Sequence, residues 1–168
     1  MRLLYLIAMW FHILAAAVWI GGIVFLSVVL LPVTRRPEYL NIASSLFHWT
    51  GVRFRVVGWI CLGVLLMTGT YIIHFRGFDS IDFWRNLSAQ GAIGFAFVIK
   101  VLLVVVIFIL SAVHDFLIGP RAMKLWQEAP SSPRALSMRR LAGWMGRINL
   151  LLALIVLVMA IVIVRGGV

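Results

Sequence analysis

The side chains able to do chemistry in this chain are four histidines and a lysine set within or beside long apolar runs: His12, His48, His74, Lys100 and His114. An unpaired imidazole in hydrocarbon is costly, so each is a candidate metal ligand, proton carrier or interhelical hydrogen-bond partner. Iron or copper needs its ligands at one depth, and a helix rises ~1.5 Å per residue. With the first and third apolar runs descending and the second and fourth ascending, His12, His74 and Lys100 fall in one layer. His114, fourteen residues beyond Lys100, shares its helix face but lies about 21 Å lower, beside Asp115. His48 is also on the lower side. His12 and His74 could therefore share one iron, and His48 and His114 another, whereas His12 and His114 could not.

Bis-histidine ligation between facing helices is a common way to hold haem b. The pattern admits one haem in the upper layer, or two stacked across a membrane. Trp19, two turns below His12 on the same face, could pack on a porphyrin or simply fill the core. Lys100 could meet a haem propionate or snorkel to headgroups. Copper is the rival metal: Met9 and Met67 share faces with His12 and His74, and thioether with imidazole suits Cu(I). A cofactor-free assembly subunit would use the same histidines only to join helices.

The elements that must hold these residues are membrane helices. Leu3–Val33, Val56–Ile73, Ala92–Val113 and Leu150–Val164 approach or exceed the ~20 residues a span needs. Composition agrees, with 64% hydrophobic residues, 12% charged and a mean hydropathy of +1.11. The expected fold is an all-α, four-helix transmembrane bundle forming a single domain over residues 1–168. Pro32 is expected to stop the first helix and Gly119-Pro120 the third, because proline cannot continue the helical ladder without strain. Glu38–Thr50 reads as an amphipathic helix before the second span, with Leu40, Ala43, Leu46 and Phe47 on one face. It is expected to lie at the interface or to extend the second span. Gly77 should end the second helix, Phe78–Ser88 should form an outer loop with Trp84 as an anchor, the third helix should begin near Gln90, and the fourth near Leu136. No sequence repeat clearly relates the two halves. The first run is too long for the h-region of a signal peptide and is expected to be retained. The single Cys61 excludes a disulfide framework.

The formal charge of +10 is carried by loop cations beside apolar helices, which fits lipid headgroups and membrane orientation rather than nucleic acid. The connections after the first and third helices hold Arg35, Arg36, Arg53, Arg55, Arg121, Lys124, Arg134, Arg139, Arg140 and Arg147. The other side holds Arg2, Arg76, Arg85 and Arg165, near Asp79 and Asp82. Ten against four predicts a bacterial-type inner-membrane protein with both termini periplasmic or extracellular. The expected partners are the bilayer and a redox partner or larger respiratory complex.

The run Phe11-His12-Ile13-Leu14-Ala15-Ala16-Ala17-Val18-Trp19-Ile20-Gly21-Gly22 resembles the first helix of the copper resistance protein D (CopD) superfamily. Arg53-Phe54-Arg55 and Thr68-Gly69 in the second helix, and Lys100 within Ile99-Lys100-Val101-Leu102-Leu103-Val104, follow in the expected order. HemJ-type protoporphyrinogen oxidases share this plan, with a histidine near the position of His114 and an Arg and Asn where Arg147 and Asn149 stand. Leu31-Pro32-Val33-Thr34 departs from them where they carry a further histidine. The resemblance implies haem b held axially by His12, with Lys100 near the site, and HemJ proteins have no counterpart of His74. The residues themselves make Lys100, Arg53, Arg55 and Trp19 cofactor-binding candidates, and His74, His114 and His48 further ligand candidates. The resemblance also implies the alternatives of copper handling and protoporphyrinogen oxidation.

Overall fold

A computed structural model describes residues 2–78, 80–85 and 91–164. Arg165 and Asp79 in the charge distribution, the segment 86–90 at the end of the outer loop, and the last residues of the chain lie outside them. Four helical spans are long and apolar enough to cross a membrane: Arg2–Val33, Pro37–Phe75, Ile93–Glu128 and Pro133–Val164. The first is built from α1 (Arg2–Val24), a π-helical stretch Phe25–Leu30 and α2 (Leu31–Val33). A 3-10 turn, Pro37–Tyr39, leads into α3 (Leu40–Phe75), and a short α4 (Ile81–Arg85) follows. The third span is α5 (Gly91–Ala112), a second π-helical stretch Val113–Ile118 and α6 (Gly119–Glu128); the fourth is α7 (Pro133–Val164).

One expectation changes and one open choice is decided. The amphipathic segment extends the second span instead of forming a separate interfacial helix: it is the first third of α3, which rises without a break for about 54 Å and so projects well beyond a ~30 Å hydrocarbon core. Gly119-Pro120 does not end the third span. In an α-helix the Pro120 ring would crowd the carbonyl four residues earlier and leave it without its N–H. The preceding π-turn shifts the ladder, so that Gly119 N–H bonds the His114 carbonyl, five residues back, and the helix continues to Glu128. The same device precedes Pro32, where Leu31 N–H bonds the Leu26 carbonyl. The two stretches begin at Phe25 and Val113, 88 residues apart. The same offset relates Pro32 to Pro120, the buried Trp19 to the buried Ile107, and His12 to Lys100. The first spans of the two halves thus repeat one plan that sequence identity conceals. Gly77 does end α3: at a φ of +73° it lets Gly77 N–H and Phe78 N–H bond the His74 and Ile73 carbonyls.

α1 packs chiefly on α3 and α5 on α7, with α1 also touching α7. The shared core holds Ala15, Trp19, Cys61, Leu62, Ile107 and Ala153, so all four spans meet at mid-height. Three rings set the antiparallel register of α1 on α3, each seated over a glycine of the other helix. Phe54 lies on Gly22, Trp19 on Gly58 and His12 on Gly69. Such close approach is what membrane helices gain from small residues. At the basic end, α6 packs on α7 and touches α3. Buried Ala43, Ala122 and Ala135 mark this layer, and Trp126 stands between the Phe47 ring and the Arg139 guanidinium, which is 3.8 Å from its centroid.

Candidate functional site

His12 is the centre of the upper layer. Its Nδ1 lies 2.8 Å from the Thr68 hydroxyl, and that hydroxyl donates its one proton to the Val64 carbonyl at 2.6 Å. A hydroxyl so committed can only accept, and the tautomer that completes this chain is the one with the proton on Nδ1, which leaves the Nε2 lone pair free. Gly69 makes the approach possible, since a Cβ there would lie 3.3 Å from His12 Cε1. No hydrogen bond engages Nε2 among the described residues. Lys100 stands at the equivalent height on α5, and Arg76 lies at the upper end of α3. Arg76 is anchored by an Nε–H bond of 3.0 Å to the Tyr5 hydroxyl, and Tyr5 stacks on Phe75 at 4.6 Å. The upper layer therefore holds a half-buried imidazole on α1 and a lysine at the same height on α5, with Arg76 nearer the end of the bundle. Lys100 forms no ion pair among the described residues.

The other candidates lie elsewhere. His74 is exposed and six residues above Thr68, about 9 Å along α3 and most of a turn around it. It is not on the helix face that holds His12. Met67 is 68% exposed, turned from the bundle toward lipid, so it does not join His12. Trp19 is buried against Gly58 in the core, its ring occupied by protein contacts. Arg53 and Arg55 lie thirteen to fifteen residues below Thr68, about 20 Å away, and belong to the other end of the span.

The lower layer has its own polar set. Asp115, in the second π-stretch, accepts from Trp59 Nε1 at 3.0 Å and pairs with His114 Nδ1 at 2.9 Å. His48 sits eleven residues below Trp59 on the continuous α3, about 16 Å lower, and its ring lies edge-on to Trp49. His48 and His114 are thus not brought together. Between α5 and α7, Asn149 donates to the Ser111 hydroxyl at 2.9 Å, a buried polar pair of the kind that joins membrane helices. The Asn149 carbonyl oxygen has no partner among the described residues. Arg147 lies 5.2 Å from the Trp144 ring.

Sequence reasoning placed His12 and Lys100 in one layer but missed Thr68 as the partner of His12, Tyr5 as the anchor of Arg76, and Trp59 as the partner of Asp115. Thr68-Gly69 was visible only as part of a motif. The signal that could have found its role is the matched run of ring-bearing and glycine positions on α1 and α3.

Fold and site together define a four-helix integral membrane bundle with a polar layer toward each end. The chain belongs to the family described as a domain of unknown function, DUF4149, whose profile matches residues 14–131. That segment carries Thr68, Lys100 and Asp115 and begins just after His12. The chain is also similar to an "Uncharacterized protein" of Aquifex aeolicus (strain VF5), 32% identical over 160 residues that cover 92% of each chain. No solved structure matches.

Proposed function

We propose that the protein binds one haem b in the upper layer and passes electrons within the membrane, with His12 Nε2 as the atom that would hold the iron. The observation that carries this reading is the hydrogen-bond chain His12 Nδ1–H to Thr68 to the Val64 carbonyl. Haem-ligating histidines take this form: the outer nitrogen is held by an acceptor, which orients the ring and raises the basicity of the ligating one. When bound, haem supplies one-electron redox chemistry. The chain's own part is to fix the imidazole, surround it with apolar helices, and offer Lys100 and Arg76 to propionate carboxylates. The likeness to the CopD superfamily in His12, Trp19, Gly21-Gly22, Thr68-Gly69 and Lys100 points the same way. The lower histidines are too far apart to hold a second haem between them, and the outward-facing Met67 weakens the copper alternative.

The orientation that suits this reading places both termini outside and the ten loop cations in the cytoplasm of a bacterial-type inner membrane. A redox partner would then approach the upper layer from outside. Protein purified in detergent should show a reduced-minus-oxidised α-band of a b-type cytochrome and carry iron. Copper without haem would support the metal-handling alternative instead, and neither would leave His12 as a helix-joining residue.

A further inference from the structure

A groove of about 450 Å³ runs along α3 against the second π-stretch, lined by Arg55, Val56, Trp59, Ile60 and Phe116. Arg55 and Trp59 are one turn apart, as are Val56 and Ile60, so the four side chains form two parallel rows along the helix axis. The cation is at the end nearer the basic loops, and the apolar residues lead from it toward mid-membrane. Phe116 forms the facing wall, its ring 5.3 Å from that of Trp59. Val56, Ile60 and Phe116 are 58%, 60% and 58% exposed, so the groove opens sideways to the bilayer. The nearest carboxylate on the facing wall, Asp115, is taken up by Trp59 and His114, and Arg55 has no ion pair among the described residues.

We propose that this groove is a binding site for one anionic phospholipid of the leaflet at the basic end. Its phosphate sits on Arg55 and one acyl chain lies along Val56, Trp59, Ile60 and Phe116. A guanidinium at headgroup depth pairs well with phosphate, to which it can donate two parallel N–H bonds. A cation at the basic end of an apolar strip, with no ion pair among the described residues, matches the charge and polarity of such a lipid from headgroup to chain. A zwitterionic lipid brings its own cation to the same place and gains less.

Native mass spectrometry of the purified full chain, offered equal phosphatidylglycerol and phosphatidylcholine, tests the site. The wild type should retain phosphatidylglycerol several-fold over phosphatidylcholine. Arg55→Gln should lose that preference, Arg55→Lys should keep part of it, and Arg53→Gln, on the exposed face outside the groove, should keep it whole. Brominated phosphatidylglycerol should quench tryptophan fluorescence in the wild type more than in Trp59→Phe. Equal retention of the two lipids by the wild type overturns the proposal. So does a preference unchanged in Arg55→Gln, or a dimer in which Trp59 is shielded from brominated lipid.

Discussion

At the scale of single residues, a hydroxyl decides what His12 can do. Thr68 has one proton and spends it on the Val64 carbonyl, which leaves the imidazole in the tautomer that offers Nε2. Thr68→Val keeps the shape and removes the acceptor, so the ring is free to rotate or change tautomer. That variant should be destabilised by about 1 kcal/mol, the usual worth of one such hydrogen bond. It should also lower haem retention and shift the midpoint potential, whereas Thr68→Ser should restore both; potentiometric titration of the three proteins checks this. On the lower side, Asp115→Leu strands the Trp59 N–H and the His114 ring together. A cost of about 1–3 kcal/mol is expected there, read as a lower unfolding temperature in detergent with the haem spectrum unchanged. Of these residues, His12 and Lys100 were legible because depth can be counted along a helix. Thr68 and Trp59 were not, because the partner of a side chain depends on the register between helices.

At the scale of elements, glycines under rings hold α1 against α3. A Cβ at Gly22 would run into the Phe54 ring, while one at the neighbouring Gly21 meets nothing within 4 Å and one at Gly58 lies at an ordinary 3.5 Å from Trp19. Gly22→Ala should therefore cost about 1–3 kcal/mol as overpacking, and Gly21→Ala and Gly58→Ala should cost little, in thermal unfolding of the three variants side by side. Apolar run length sufficed to locate every span. Pro120 misled, because the rule that proline ends a helix assumes an α-helical ladder. The π-stretch before it lets the third span run on through all of α6, whereas the first span ends at Val33, one residue past Pro32, as expected. The amphipathic face was legible, and of its residues Ala43 is buried while Leu40 and Leu46 stay exposed; what Phe47 packs against, Trp126 on α6, exists only because the third span runs past Pro120.

At the scale of the whole molecule, the first spans of the two halves share one plan and differ at equivalent positions, an imidazole at His12 and an amine at Lys100. The result is a polarised bundle: a layer with His12 and Lys100 near the termini, where we propose that haem binds, and a basic layer with Trp126 and Trp144 at the other end. If the basic end is cytoplasmic, Ser131→Cys in a Cys61→Ala background should react with a membrane-impermeant maleimide only after the cells are opened. Reaction in intact cells would reverse the orientation. The central claim, that His12 alone anchors one haem, is tested most directly by haem-to-protein ratios of purified wild type and the four single His→Ala variants. The expected result is a ratio near one for the wild type and for His48→Ala, His74→Ala and His114→Ala, with near-complete loss in His12→Ala although that protein remains inserted. Full haem in His12→Ala, or no haem in the wild type, would contradict it.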